Sequence, residues 1–115
     1  MFELTGLPYA SYATCKKTRR SVTGLVILFN GTVVAAKRGM QRVVALSTVE
    51  AEVIAMIQCV QEMMYILKVT NSLGLKVKLP MDVRCDNKGA VDLANGWSVG
   101  GQSKHIEFSK RTQRE

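Results

Sequence analysis

Two glutamates lie close together in the segment VALSTVEAEVIAM, residues 44–56, which otherwise reads as the start of an apolar helix. Ser47 and Glu50 have the spacing of a capping box, in which the glutamate side chain returns to the backbone amide of the N-cap residue. At about 100° per residue, Glu52 points about 160° away from Glu50. It therefore lies on the apolar stripe of the helix, with Ala55, Met56, Cys59 and Met63. A structural role accounts for Glu50, whereas Glu52 is a charge on the buried face.

The predicted burial of Glu52 requires a partner. An ionised carboxylate without one costs several kcal/mol in a protein interior. Its charge must therefore be neutralised by a proton, paired with a base or directed at a metal ion. An ion pair with one of the 16 Lys and Arg residues, or a first helical turn that stays in solvent, would be a purely structural explanation.

A second acid, Asp86, lies in the segment DVRCDNKGAVDLAN, residues 82–95, where a short strand ends and a helix begins. Open α/β sheets display ligand-binding groups at this position. The structural alternative is that Asp86 caps the helix that follows. Hard divalent cations such as Mg²⁺ prefer clustered carboxylate oxygens, so Glu52 and Asp86 together indicate metal-assisted phosphodiester chemistry.

Strands are predicted ahead of the long helix. The segment VTGLVILF, residues 22–29, is apolar and β-rich, and Asn30-Gly31 before TVVAAKR is a strong hairpin signal. Residues 2–13 are a further candidate strand, although Pro8 within them cannot donate a hydrogen bond to a central ladder.

The rest of the chain predicts two helices, a strand and the start of a third helix. A long helix covers residues 48–73 and ends at Gly74. The segment KVKLPMDVRCD leads into a short strand, NKGAVDLANG predicts a short helix closed by Gly96, and HIEFSKRTQRE, residues 105–115, predicts the opening of another helix. This order of elements indicates one α/β domain over residues 1–115, whose late strand follows a helical crossover.

Basic residues dominate the charge of the chain. Its 115 residues carry 16 Lys and Arg against 9 Asp and Glu, which gives a net charge of +7. Such a balance is common in proteins that meet polyphosphates. Four of these cations lie in the connection between the first two predicted strands and could follow a phosphate backbone: Lys16, Lys17, Arg19 and Arg20. A solvated turn is the alternative, because no aromatic residues interleave with these charges.

Cysteine usage and hydropathy bound the compartment. Cys15, Cys59 and Cys85 are odd in number and lack a CxxC pair, so they favour neither a disulfide framework nor a zinc site. No segment reaches the roughly 18 apolar residues of a membrane span, and the N-terminus lacks the basic start of a signal peptide. We therefore expect an intracellular protein, cytoplasmic or nuclear, with no membrane partner.

Several motifs resemble a known family. ALSTVEAEVIAM, CDNKGAVDLANGWSVGG and SKHIE resemble the ribonuclease H domain of copia-type LTR retrotransposon polyproteins, and RRSVTGLVILFNG is similar to the first hairpin of that domain. The resemblance covers residues 6–115. It implies a ribonuclease H-like fold, with a mixed sheet that contains an antiparallel hairpin, a long helix and a crossover to a parallel strand. It also implies a reverse transcriptase region as a neighbour in the parent polyprotein.

The resemblance further implies an activity. In this family, carboxylates on the sheet bind two Mg²⁺ ions, which activate a water and stabilise the leaving oxygen as the RNA strand of an RNA:DNA hybrid is cut. By motif match, Glu52 and Asp86 would be the second and third metal-binding acids. Lys104 would contact nucleic acid. His105 would begin a helix, with a structural or phosphate-contacting role, although its titration near neutral pH also suits proton transfer.

Two departures from the family pattern concern the metal site. Tyr9 stands at the position of the family's first acid, and a phenol with a pKa near 10 cannot replace an ionised carboxylate. The fourth acid lies on a final helix after a last strand, and we expect this chain to be incomplete at its C-terminus, with both elements missing. Asp82, Asp92 and Glu107 are not expected to substitute. The chain is therefore expected to be inactive, and a non-catalytic remnant or a basic nucleic-acid-binding module is the alternative.

Overall fold

The structure, a computed structural model, describes residues 1–13, 17–97 and 106–110. These residues form β1 (Leu4–Ser11), β2 (Val22–Phe29), β3 (Thr32–Met40), α1 (Thr48–Ser72), β4 (Met81–Cys85), α2 (Lys88–Trp97) and β5 (Ile106–Lys110). The strands form one sheet in the order β3-β2-β1-β4-β5. The β1–β2 and β2–β3 pairs are antiparallel, whereas β4 runs parallel to both β1 and β5. The predicted mixed sheet with a hairpin, a long helix and a parallel crossover is confirmed.

The β2–β3 hairpin turns at the predicted dipeptide. Asn30 and Gly31 have φ of 51° and 82°. A two-residue type I′ turn requires positive φ at both central positions, and Asn-Gly is the dipeptide that favours it. β3 forms an edge of the sheet, and only Ala35 among its residues is even half-buried.

Pro8 lies inside the central strand β1 without disrupting it. The pairing of β1 with β4 is confined to Thr5 and Gly6, whereas its pairing with β2 runs from Leu4 to Ser11. Backbone amides alternate in direction along a strand, so position 8 faces the β4 side, beyond the last β1–β4 pair. The β1–β4 ladder thus ends at Gly6, before the position where the proline could not donate, and β1 beyond it pairs only with β2.

Helix α1 begins and ends as the sequence predicts. Ser47 Oγ accepts the Glu50 N–H at 3.1 Å, and Glu50 Oε2 accepts the Leu46 N–H at 3.1 Å. The capping glutamate thus returns to the amide one residue before the predicted one. At the other end, Gly74 has φ of 81°, and the Leu75 N–H bonds to Thr70 O at 3.0 Å. This is the Schellman arrangement that ends helices at glycine.

The core lies between α1 and the sheet. The predicted apolar stripe is buried there: Ala55, Met56, Cys59 and Met63 are each at most 1% exposed. Gly6 of β1 lets the helix approach closely, because a Cβ at this position would lie 2.5 Å from Met63 Sδ and 2.6 Å from Cys59 Sγ.

By length and composition alone, α1 is apolar enough to cross a membrane, which the sequence-based expectation did not allow for. Residues spread along α1, from Ala51 to Thr70, are buried in the domain. Packing on the sheet buries 39% of this apolar stretch of α1.

The prediction that the last strand is missing was wrong. Residues 106–110 form β5, which pairs in parallel with β4 from Met81↔Ile106 to Cys85↔Lys110. Ile106 is buried and Phe108 packs against the core, whereas Glu107 is exposed. This alternation with a period of two is a strand pattern, and the free edge of β4 supplies a partner. The helix predicted from residue 105 is therefore replaced by a strand, and α2 continues through Gly96 to Trp97.

Candidate functional site

The candidate site lies at the end of the sheet where β1 and β4 finish side by side. These two parallel strands pair at Gly6↔Val83, and that register, continued by three residues, places Tyr9 level with Asp86. After β1 the chain continues to β2 on one side of the β1–β4 pair, and after β4 it continues to β5 on the other side. Crevices at such switch points in α/β sheets are common ligand sites.

The Glu52 carboxylate connects the two strands. Its Oε1 accepts the Ala10 N–H at 3.3 Å, and its Oε2 accepts the Cys85 thiol at 3.6 Å. Ala10 follows Tyr9, and Cys85 precedes Asp86. The structure thus brings Glu52 to the sequence neighbours of the two other positions singled out by the motifs, Tyr9 and Asp86.

Asp86 does not cap helix α2. Asn87 has that role, because its Oδ1 accepts the Ala90 N–H at 3.0 Å and its backbone oxygen accepts the Val91 N–H at 3.0 Å. The alternative that Asp86 is an N-cap was wrong by one residue. Asp86 lies between the end of β4 and this cap, and it is exposed.

Cys85 is a part of the site that the sequence did not predict. Its burial matches the expected core role, but its thiol donates to Glu52. Burial raises the pKa of Cys85 from 9.0 to about 11; the Asn87 backbone opposes the rise, and the Glu52 and Asp86 carboxylates add to it. Both acids therefore act on the same thiol. One feature of the sequence could have predicted this role of Cys85: it directly precedes Asp86, and its side chain lies on the strand face that meets the helix bearing Glu52.

This raised pKa predicts a loss of stability at alkaline pH. An unfolded cysteine ionises near pH 9.0, whereas folded Cys85 holds its proton to about pH 11. The free energy of unfolding therefore falls as the pH rises through this interval. Urea denaturation at pH 8, 9.5 and 10.5 should show a smaller fall for Cys85→Ala than for the unmodified chain, because the variant lacks the thiol whose pKa is raised. Equal falls would contradict the prediction.

Tyr9 supplies no carboxylate to the site. Its side chain is 44% exposed, and its ring lies over Gly24 of β2, in the space that a Cβ on Gly24 would occupy. A side chain at Gly6 would point into α1. Side chains alternate between the two faces of a strand, so position 8 faces α1 like position 6, and Tyr9 faces away from α1.

The other acids have different surroundings. Asp82 accepts the Arg84 Nε–H at 2.7 Å and the Ser109 hydroxyl at 2.9 Å, Glu107 is exposed on β5 opposite Asp82, and Asp92 is exposed on α2. Within residues 1–13, 17–97 and 106–110, no three His, Cys, Asp or Glu side chains cluster in a way that could hold a metal ion.

The predicted nucleic-acid-binding residues are partly described. Lys17 and Arg19 are exposed and Arg20 is half-buried in the connection from β1 to β2. Because this connection follows the end of β1, it lies at the same end of the sheet as Glu52. Lys16, Lys104 and His105 lie outside the described residues, although the residues after His105 form a strand and not the predicted helix.

Comparison with known proteins finds similarity both in sequence and in structure. No protein-family model matches the chain. It is 34% identical over 112 residues to the Retrovirus-related Pol polyprotein from transposon TNT 1-94 of Nicotiana tabacum, a match that covers 97% of this chain and 8% of the polyprotein.

Among solved structures, the chain is similar to ribonucleases H. LC11-RNase H1, isolated from compost and solved in complex with an RNA/DNA hybrid, has a TM-score of 0.66 at 12% identity, with 97% of this chain and 87% of the other covered. An N-terminal RNase H domain from Mycobacterium tuberculosis has a TM-score of 0.64 at 14% identity, with coverage of 100% and 86%. Likeness at these identities concerns the fold.

The fold is that of a ribonuclease H-like α/β domain. The sequence relative makes the assignment more specific: the chain belongs with the ribonuclease H-like domains of retrotransposon Pol polyproteins. The resemblance predicted from the motifs is confirmed at this level.

Proposed function

We propose that this chain is a ribonuclease H-type domain that binds RNA:DNA hybrids at the β1–β4 end of its sheet and, with the residues it has, does not cleave them. The observation that supports the proposal is the position of Glu52, whose carboxylate meets both β1 and β4 next to Tyr9 and Asp86. LC11-RNase H1, which shares the fold, is known in complex with such a hybrid. A place beside a reverse transcriptase region in a longer polyprotein is part of the same proposal.

The residues present do not fit the two-magnesium site of the class. Hydrolysis of the RNA strand in that class uses acids around two cations, and here the position level with Asp86 holds a phenol. Glu52 and Asp86 remain as proposed ligands for a single, weakly held ion. What this chain's own residues supply is a carboxylate fixed between two strands and a cationic connection beside it.

The location of binding tests the proposal. A short RNA:DNA hybrid, added to ¹⁵N-labelled protein, should shift the amide resonances of Ala10, Asp86 and the described part of the β1–β2 connection. It should leave those of Lys76 and Lys78, at the opposite end of the sheet, in place. Shifts confined to the Lys76 end would contradict the proposal.

A basic nucleic-acid-binding module without catalysis is the second candidate, and the exposure of Lys17 and Arg19 beside the site favours it. Both candidates predict sequence-independent binding that weakens with salt. Replacing Lys17, Arg19 and Arg20 by Gln should reduce the slope of log affinity against log salt by about 2, because each lost phosphate contact lowers it by about 0.7–0.9.

The matched control replaces three exposed lysines at the far end of the domain, Lys68, Lys76 and Lys78. It removes the same net charge and should change the slope by less than half as much. If the two triple variants lose equal amounts of slope, the binding has no preferred face and the Lys17–Arg20 connection is only a solvated turn.

A further inference from the structure

Gln41, the first residue after β3, is fully buried although its side chain is polar. Its backbone N–H bonds to Ser21 O at 2.8 Å. Its side-chain Nε2 donates to Thr23 Oγ1 at 2.8 Å and to the Ala51 backbone oxygen at 3.0 Å. A single amide group therefore joins the sheet to the first turn of α1.

Stability alone does not explain this amide. Gln41 Oε1 is buried and has no hydrogen-bond partner among the residues that the structure describes. A buried polar atom without a partner costs about 1–3 kcal/mol, whereas an apolar side chain of similar size avoids that cost. A leucine side chain would fill the same space without this cost. What glutamine adds, compared with leucine, is the pair of hydrogen bonds donated by Nε2.

Both Nε2 contacts lead to Glu52. Ala51 directly precedes Glu52 in α1, and Thr23 pairs with Ala10, whose N–H Glu52 accepts. Gln41 thereby ties together the helical turn that carries the carboxylate and the strand pair that receives it. Ala51 itself is 0% exposed, so its carbonyl is fixed where Gln41 meets it.

We propose that Gln41 is a positioning residue, which sets the height of Glu52 over the sheet and so keeps its carboxylate on the Ala10 N–H. The placement is independent of what the site binds. Only its importance for ligand binding rests on the proposed function.

The Ala10 amide resonance tests the placement, because it reports on the hydrogen bond to Glu52. In Gln41→Leu, this resonance should move towards its position in Glu52→Gln, and the Ala10 amide should exchange with solvent about tenfold faster as the contact opens. A merely structural role for Gln41 would leave the Ala10 resonance in place and change only the midpoint of unfolding.

Thr70→Val is the matched control, because it removes a buried hydrogen bond, from Thr70 Oγ1 to Leu67 O, at the far end of the same helix. It should leave the Ala10 amide resonance unchanged.

If Gln41→Leu does not fold, Thr23→Val removes one of the two Nε2 contacts and should move the Ala10 resonance in the same direction by a smaller amount. An unchanged Ala10 resonance and exchange rate in whichever of these two variants folds would overturn the proposal. A domain that binds no hybrid but shows the Ala10 change would overturn the proposed function alone.

Discussion

Tyr9→Asp is expected to raise the affinity of the domain for Mg²⁺ or Mn²⁺ at least about tenfold. The substitution adds a carboxylate level with Asp86, on the face of β1 away from α1, while Glu52 of α1 contacts the next residue of the strand, Ala10. Two unit charges 4 Å apart interact by about 4 kcal/mol at an effective dielectric constant of 20, and a factor of ten needs only about 1.4 kcal/mol. The shorter aspartate side chain also leaves the space over Gly24 that the phenol ring fills.

Tyr12→Asp is the matched control, because Tyr12 is 43% exposed against 44% for Tyr9 and the change in charge is identical. Titration calorimetry, or Mn²⁺ binding followed by electron paramagnetic resonance, should show a gain for Tyr9→Asp alone. Equal gains in both variants would mean that added negative charge, and not position, attracts the ion.

Cleavage of an RNA:DNA hybrid by the unmodified chain in magnesium is expected to stay at background. Two divalent cations a few ångströms apart repel strongly, and two carboxylates offset too little of that repulsion to hold both. Hybrid-specific cleavage that disappears in Glu52→Gln would refute this expectation.

Gly6→Val is expected to lower the free energy of unfolding by about 3 kcal/mol. Even a Cβ would lie 2.5 Å from Met63 Sδ and 2.6 Å from Cys59 Sγ, so the valine must push α1 away from β1. Overpacking a core in this way typically costs about 1–3 kcal/mol. Urea denaturation measures the change.

Gly39→Val is the control for the effect of adding a side chain to a strand glycine. Nothing lies within 4 Å of a Cβ at Gly39 of β3, so this variant should keep its stability within about 0.5 kcal/mol. Comparable losses in the two variants would show that the close approach of α1 to Gly6 does not limit the packing.

The sequence predicted the elements whose signals are local. The Asn30-Gly31 turn, the Ser47 cap and the Gly74 stop each depend on a few adjacent residues, and all three form as expected. β5 was missed because the alternation of Ile106 and Phe108 spans only five residues and gains its meaning from β4, distant in sequence. A short strand at a sheet edge is defined by its partner more than by its own composition.

The candidate site shows the same division. The helical phase of Glu52 placed it on the buried face, and its contacts with Ala10 and Cys85 agree with that prediction. Which of two adjacent residues caps α2 was decided by the hydrogen bond that Asn87 Oδ1 accepts from the Ala90 N–H. The burial of Gln41 could not be foreseen, because a polar residue between a strand and a loop carries no periodic signal.

β3 bears on how the domain behaves at high concentration. An edge strand presents unpaired backbone groups to any extended chain, and Val33 and Val34 on it are 58% and 49% exposed. Arg38 on the same strand brings like charges together when two such edges approach, whereas Lys37 is paired with Glu62 at 2.8 Å. The irregular register between Ile27 and Leu28 also bends the β2–β3 pair away from a flat template. The charge of Arg38 and the bend of the strand pair therefore both disfavour edge-to-edge pairing of two copies.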